Sequence, residues 1–264
     1  MTIDQWLRHA TEQLKKAGIE TSRLDAELIL ANVFERGRVY LHAHGEETIS
    51  DEALQVANTQ LEQRAQRLPL AYIFGYKEFY GRDFAVTPDV LVPRPETEAL
   101  VELLPTVENL SMIDVGTGSG AIAITAQLEH PSWTVTACDI DEDALLVAAH
   151  NADALKARII FRHSNLLTNI DGTFDVIAAN LPYVDRDWER SPETDFEPAL
   201  ALFADDHGLE LIEKLIEQTP DHLAEHGYLL LEADPQQHPT IIAAAQQKSL
   251  RHIRTEGYVV LLQR

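Results

Sequence analysis

The sequence predicts an α/β protein in which a helical bundle precedes a doubly wound, mainly parallel sheet that ends in an antiparallel hairpin. Three observations lead to this fold class. Apolar residues recur with helical spacing through the first 68 residues. Beyond residue 92, short apolar runs alternate with helical segments. At the carboxyl end, "RHIRTEGYVVLLQR" places a turn at Gly257 between two strand-like stretches, with no room for a helix between them.

Residues 1–68 are predicted to form a helical domain. Thr2 and Gln5 have the spacing of a capping box, which indicates that a helix begins there. A second helix is expected from Ser22 to Arg36, and a third is expected after Ser50.

The rest of the chain is predicted to change to β-rich structure. Residues 69–92 contain alternating aromatic and β-branched residues with two glycines, which predicts a β-hairpin connector. Residues 93–264 are predicted to form the sheet domain. Its expected strands are the runs "MIDVGTGSG", "WTVTACDID", "RIIFRHS", "FDVIAANLPY" and "GYLLLEAD".

Composition excludes several classes of protein. No apolar run approaches the roughly 18 residues that a membrane span needs. The amino terminus has no apolar signal core, so a cytoplasmic location is expected. The single cysteine, Cys138, cannot form an internal disulfide, and no paired cysteines or other ligand cluster predicts a metal site.

The charge of the chain is strongly negative and unevenly distributed. The net charge is −22, and residues 185–234 hold 15 acidic residues against 3 basic ones. Such a surface repels a phosphate backbone, so direct nucleic-acid binding is not expected. We expect no membrane association either, and a monomer is favoured.

A glycine-rich turn follows the first strand of the sheet domain. "DVGTGSG", residues 114–120, allows the backbone to turn tightly at the start of a helix, and lets a ligand approach it. Asp139, at the end of the next strand, is placed where a carboxylate can accept both hydroxyls of a ribose. Together these features indicate a cofactor that contains adenosine, although dinucleotide enzymes share the same pattern.

The tetrad Asn180–Leu181–Pro182–Tyr183 indicates which chemical group the protein acts on. Asn180 Oδ1 and the backbone carbonyl of Leu181 can accept the two hydrogens of an NH2 group and direct its lone pair at an electrophile. Pro182 stiffens the turn, and Tyr183 can pack on a flat acceptor group. Taken alone, the tetrad is also compatible with a strand-end cap followed by a core tyrosine.

With the acidic residue before the glycine-rich turn and the terminal antiparallel strand, residues 93–264 resemble the class I S-adenosylmethionine-dependent methyltransferases. Three further stretches, "EFYGRDFAV", "VLVPRPETEALV" and "FEPALALFADDHGLELIEKLI", resemble the HemK/PrmC family of protein-(glutamine-N5) methyltransferases. The resemblance covers nearly the whole chain. It implies a Rossmann-like sheet, S-adenosylmethionine as cofactor, and class 1 peptide release factors as partners, methylated on the glutamine of their Gly-Gly-Gln motif.

The resemblance also implies roles for parts of the chain. Residues 1–68 are expected to be a helical docking domain for the substrate, the release factor. The glycine-rich turn is expected to hold the methionine portion of the cofactor, Asp139 the ribose, and Asn165 with Leu166 the adenine. The expected catalytic residues are Asn180, Leu181, Pro182 and Tyr183, and the expected cofactor-binding residues are Gly116, Thr117, Gly118, Ser119, Gly120, Asp139, Asn165, Leu166 and Asn180.

The sequence departs from the family pattern at three places. Leu181 replaces a proline, but it keeps the carbonyl that the tetrad needs. Asn165 stands where an acid is common, and the carboxyl terminus lacks the usual Asp-Leu-x-Gly-x-x-Arg ending. Because "NLPY" also occurs in ribosomal-RNA adenine dimethyltransferases, an adenine-amine methyltransferase acting on RNA or DNA is the first alternative. A regulatory module that binds S-adenosylmethionine without catalysis is the second.

Overall fold

The computed structural model describes all 264 residues and divides the chain into two compact units. The smaller unit consists of Met1–Gly75 and Ser191–Phe196, and the larger one of Tyr76–Arg190 and Glu197–Arg264. The segment that precedes the sheet therefore belongs to the larger unit from Tyr76 onward. None of the helices combines the length and apolar character needed to cross a bilayer.

The smaller unit contains five helices around a buried apolar core that includes Trp6. The first helix begins with the capping box: Gln5 N donates to Thr2 Oγ1 at 3.3 Å, and Thr2 N donates to Gln5 Oε1 at 3.0 Å. The second ends at Phe34, two residues earlier than predicted, because Glu35 adopts a left-handed conformation with φ of 51°. The helices are α1 (Ile3–Lys16), α2 (Ser22–Phe34), α3 (Arg38–Ala43), α4 (Asp51–Ala65) and α5 (Leu70–Phe74).

Segment Ser191–Phe196 is joined to this helical unit by an ion-pair cluster. Arg64 Nε lies 2.7 Å from Asp25 Oδ2, and Arg64 Nη2 lies 2.8 Å from Glu193 Oε1. Arg67 Nη1 is 3.0 Å from the same Glu193 oxygen. Burial acts to raise the pKa of Glu193, but hydrogen bonds from Ser191 and the two arginines outweigh it and lower that pKa to about 2.

The larger unit is built on a seven-stranded sheet with the order β5-β4-β3-β6-β7-β9-β8. Strands β3 to β7 are parallel, whereas β9 is antiparallel to both β7 and β8, so the predicted fold class with its terminal hairpin is confirmed. A separate hairpin of β1 and β2 precedes the sheet. The strands are β1 (Tyr76–Phe79), β2 (Arg82–Ala85), β3 (Ser111–Val115), β4 (Thr134–Asp139), β5 (Ile159–His163), β6 (Phe174–Ala179), β7 (Leu223–Glu232), β8 (Arg251–Glu256) and β9 (Val259–Gln263).

Both faces of the sheet are covered, as alternation along β6 illustrates. Ile177 points into one apolar cluster, and its neighbours Val176 and Ala178 point into the other. This double burial explains why the central strands are almost continuously apolar. The remaining helices are α6 (Glu98–Glu102), α7 (Ala121–Glu129), α8 (Glu142–Leu155), α9 (Ala199–Leu202), α10 (Asp205–Gly208), α11 (Glu210–His222) and α12 (His238–Gln247), and short 3-10 turns occur at Pro95–Thr97 and Pro192–Phe196.

Candidate active site

A cavity opens at the carboxyl ends of the parallel strands β3, β4 and β6, entirely within the larger unit. In open α/β sheets this edge is where ligands bind. Most of the site residues predicted from the sequence lie in its wall: Gly116, Thr117, Gly118, Ser119, Asp139, Asn165, Leu166, Asn180, Leu181 and Pro182. Gly120 and Tyr183 lie outside the lining.

The glycine-rich turn curls around the end of β4. The N–H groups of Gly116 and Thr117 both donate to the carbonyl of Cys138, at 2.9 and 3.0 Å. Gly118 has a φ of 53°, and a Cβ atom placed there would meet nothing within 4 Å. A side chain at Gly118 would therefore extend into open space beside the turn, where a ligand can approach the backbone.

Gly120 has a different part in the same turn. It has a φ of 82° and stands at the N-cap of α7. A Cβ at this position would come within 2.8 Å of Ile124 Cδ1 and 3.2 Å of Ala148 Cβ. Gly120 is thus needed for the close packing of α7 on α8, and it does not face the cavity.

Asp139 is held by backbone donors on both carboxylate oxygens. Oδ2 accepts from Gly118 N at 2.9 Å, and Oδ1 accepts from Asp141 N at 3.0 Å. Burial raises the pKa of Asp139, and these backbone bonds act against that rise. Asp139 therefore fixes the glycine-rich turn to the end of β4 as well as lining the cavity.

Asp114, before the turn, is completely buried. Its Oδ2 accepts from Thr117 Oγ1 at 2.7 Å and from Ala123 N at 3.2 Å, whereas Oδ1 has no hydrogen-bond partner. Burial is the main cause that raises the pKa of Asp114 to about 7. Asp114 does not line the cavity, so its observed role is to support the turn from within through Thr117 and Ala123.

The tetrad begins directly after β6. Asn180 Nδ2 donates to Thr97 Oγ1 at 3.0 Å, so Oδ1 is the end of the amide that remains for a ligand. The Leu181 side chain is buried, and its Cδ2 lies 2.9 Å from where a Cβ on Gly116 would be. Leu181 therefore packs on the backbone of the glycine-rich turn, a contact that the sequence argument did not foresee.

Tyr183 lies behind the cavity wall, packed against the apolar core, which is the position that the alternative interpretation of the tetrad gave it. Its hydroxyl donates to Glu232 Oε1 at 3.3 Å. Burial, followed by the Glu232 charge, raises the pKa of Tyr183 well above its usual range. The tyrosine is neutral in this environment and cannot act as a base.

The carbonyl of Tyr183 is in turn held by the turn around Gly208. Gln237 Nε2 donates to the carbonyls of Tyr183 and His207, each at 2.9 Å. A Cβ on Gly208 would lie only 1.9 Å from the Tyr183 oxygen, so no other residue fits there without movement. The stretch "DHGL" therefore supports the tetrad from behind.

The sequence does not reveal the partner of Arg94, which lies within "VLVPRPETEALV". Arg94 lines the cavity and pairs with Glu197, whose buried carboxylate also accepts from Val92 N at 3.1 Å. This ion pair connects "VLVPRPETEALV" with "FEPALALFADDHGLELIEKLI", two stretches that the sequence singled out only by their family resemblance. Their other lining residues include Thr97, Pro198 and Leu200.

The charges and apolar groups of the cavity suit a nucleoside that carries positive charge. Asp89, Asp139 and Asp141 line it, and Arg94 is already paired with a carboxylate. Apolar residues, including Ile140 and Leu166, line it as well. Together with the open backbone at Gly118, these residues fit S-adenosylmethionine, which combines an adenosine with a sulfonium and an ammonium group.

Comparisons with known proteins agree with this geometry. Residues 5–75 match the family model of the PrmC N-terminal domain, and residues 95–192 match that of the methyltransferase small domain. A solved methyltransferase from Pyrococcus furiosus has a TM-score of 0.56 at 20% identity, covering 76% of this chain and 96% of that one, which shows a shared fold.

Two curated relatives cover most of the chain. The release factor glutamine methyltransferase of Koribacter versatilis is 39% identical and covers 89% of each protein. That of Neisseria gonorrhoeae is 41% identical and covers 88% of this chain and 84% of the relative. The resemblance read from the motifs is thereby confirmed, and the chain belongs to the family of release factor glutamine methyltransferases.

Proposed function

We propose that this protein transfers a methyl group from S-adenosylmethionine to the side-chain amide nitrogen of the glutamine in the Gly-Gly-Gln motif of class 1 release factors. One observation carries the proposal: the asparagine of the tetrad and the glycine-rich turn line the same cavity. An acceptor amide that is hydrogen-bonded to Asn180 is therefore next to a ligand bound at the glycine-rich turn. Relatives covering 89% of the chain are named for this reaction.

The cofactor is expected to be held by residues already described. The backbone of Gly116–Gly118 is assigned the methionine portion, Asp139 the ribose hydroxyls, and Asn165 with Leu166 the adenine. When bound, the cofactor supplies an electrophilic methyl group on a sulfonium centre. Because Asp139 already accepts two backbone hydrogen bonds, its orientation is fixed before any ligand arrives.

The acceptor amide is a weak nucleophile because its lone pair is delocalised, so its orientation matters most. Asn180 Oδ1 and the Leu181 carbonyl accept its two N–H groups and favour a pyramidal nitrogen in the transition state. As the new N–C bond forms and the S–C bond breaks, the nitrogen becomes acidic and releases one proton to solvent. No strong base is needed, which agrees with the neutral Tyr183.

Two features bear on the partner. The helical unit is assigned to docking of the release factor, in line with the match of residues 5–75 to the PrmC N-terminal domain. The acidic stretch 185–234 favours a partner with a basic face over a nucleic acid. The adenine-amine alternative is not favoured, since the relatives are named for glutamine methylation.

The test is incubation of the protein with S-adenosylmethionine and a release factor, followed by mass mapping of the Gly-Gly-Gln peptide. We expect one added methyl group on the glutamine. Asn180→Ala is the matched control, and its turnover should fall roughly 100-fold, the usual loss on removing one preorganised polar group. Methylation of RNA but not of the peptide, or cofactor binding without single-turnover transfer, contradicts the proposal.

A further inference from the structure

Behind the tetrad lies a buried polar group that the proposed reaction does not use. Glu232, at the end of β7, is 1% exposed, yet its Oε2 has no hydrogen-bond partner. Its Oε1 accepts from the Tyr183 hydroxyl at 3.3 Å. Burial raises the pKa of Glu232 to about 7, and polar interactions with the side chains of Thr97, Tyr183 and Asn180 act against that rise.

Thr97 is the hydrogen-bond partner of Asn180 and also interacts with the Glu232 carboxylate. It is 3% exposed, and its Oγ1 accepts from Asn180 Nδ2 at 3.0 Å. A hydroxyl has one proton to donate and two lone pairs to accept with. Because one lone pair of Thr97 is already used by Asn180, its proton is free to point toward Glu232.

An asparagine in this position needs something to fix its orientation. The oxygen and the NH2 group of the amide are nearly identical in shape, so rotation by half a turn exchanges them at little steric cost. If Asn180 were turned in this way, its NH2 would face the NH2 of the acceptor glutamine. Two donors would then oppose each other, and the lone pair of the acceptor nitrogen would not be aimed.

We propose that Thr97 and Glu232 are positioning residues that fix which end of the Asn180 amide faces the acceptor, a proposal that rests on the methyltransferase function given above. Above a pH of about 7 the Glu232 carboxyl is mainly ionised, and an ionised carboxylate can only accept hydrogen bonds. It therefore takes the hydroxyl proton of Thr97, which leaves Thr97 to accept from Asn180 Nδ2. Hydrogen bonds are then donated in one direction only, from Asn180 to Thr97 and from Thr97 to Glu232. This direction keeps Asn180 Oδ1 toward the cavity.

The test compares Thr97→Val with Thr97→Ser, because valine keeps the shape and loses the hydroxyl, whereas serine keeps the hydroxyl. We expect Thr97→Val to lower kcat on the release factor about tenfold, the scale of one lost hydrogen bond to a polar network. The Kd for S-adenosylmethionine should stay within about twofold, and Thr97→Ser should restore most of kcat. A purely structural role predicts instead a lower melting temperature with kcat and Kd affected alike.

Glu232→Gln is the second variant. The NH2 group that this change introduces can donate to Thr97, which allows the hydrogen bonds to be donated in the opposite direction. We therefore expect kcat to fall about tenfold again, while the melting temperature changes little. The inference is overturned if the wild type methylates the glutamine and both Thr97→Val and Glu232→Gln keep kcat within twofold. If the wild type itself fails to methylate the glutamine, the proposed function fails, which is a separate outcome.

Discussion

Replacing Leu181 by proline tests whether position 181 contributes only its carbonyl oxygen. Proline removes no backbone hydrogen bond at this position, because the Leu181 N–H donates to no other backbone group. The side chain of Leu181 is an obstacle to the change, because it is only 3% exposed and packs on Gly116. A proline ring folds back toward its own nitrogen and vacates the space that the two Leu181 methyl groups fill.

The expected loss of stability follows from this packing. Two buried methyl groups are worth about 1.6 kcal/mol at roughly 0.8 kcal/mol each, before any cavity is counted. The restricted backbone of proline returns about 0.4–1 kcal/mol by reducing the entropy of the unfolded chain. The net cost is about 0.6–1.2 kcal/mol, which lowers the melting temperature of a unit of this size by roughly 1–5 °C.

Activity should respond differently from stability. The carbonyl of residue 181 and Asn180 Oδ1 remain, so kcat on the release factor should stay within about threefold of wild type. Leu181→Ala is the matched control, because it removes the same methyl groups without fixing φ, and it should destabilise more. Melting curves and steady-state kinetics on the three proteins separate the two effects. A Leu181→Pro protein that melts like wild type but has lost tenfold in kcat would refute the reasoning.

Three other predictions concern the cofactor, pH and salt. Asp139→Ala should weaken S-adenosylmethionine binding in calorimetry by about 1.5–3 kcal/mol, the scale of a charge-assisted hydrogen bond, and an affinity within twofold of wild type would remove Asp139 from the site. Asp114 has a pKa of about 7 in the folded protein against a usual 3.8, so the folded state binds its proton more tightly. The contribution of Asp114 to stability should therefore be full below a pH of about 4 and be lost as the pH rises through about 7. In urea unfolding, the wild type should lose stability relative to Asp114→Asn over this pH range, and a constant difference between the two proteins contradicts the prediction. Raising the salt concentration from about 0.05 to about 0.5 M should increase KM for the release factor at constant kcat, and KM for a Gly-Gly-Gln peptide should not change. Equal salt sensitivity of both substrates would exclude a role for the acidic surface in docking.

The sequence alone predicted the features that depend on neighbouring residues. The capping box at Thr2, the glycine-rich turn and the hairpin at Gly257 are determined by local periodicity and by glycine and cap chemistry. Parallel strands interleaved with helices follow from the same patterns, and they place the strand ends Asp139 and Asn180 at one edge of the sheet. Local rules were weakest at helix ends, as Glu35 illustrates.

Only the tertiary structure decided which residues support the site. Thr97 and Asn180 are 83 positions apart, and Tyr183 and Glu232 are 49 apart, so no periodicity links them. Leu181 appeared to be a neutral replacement for proline until its side chain was found against Gly116. Likewise, nothing local assigns Ser191–Phe196 to the helical unit, because Glu193 meets Arg64 only after the chain has folded. Such contacts depend on how whole elements pack, and a sequence pattern records the element but not its distant neighbour.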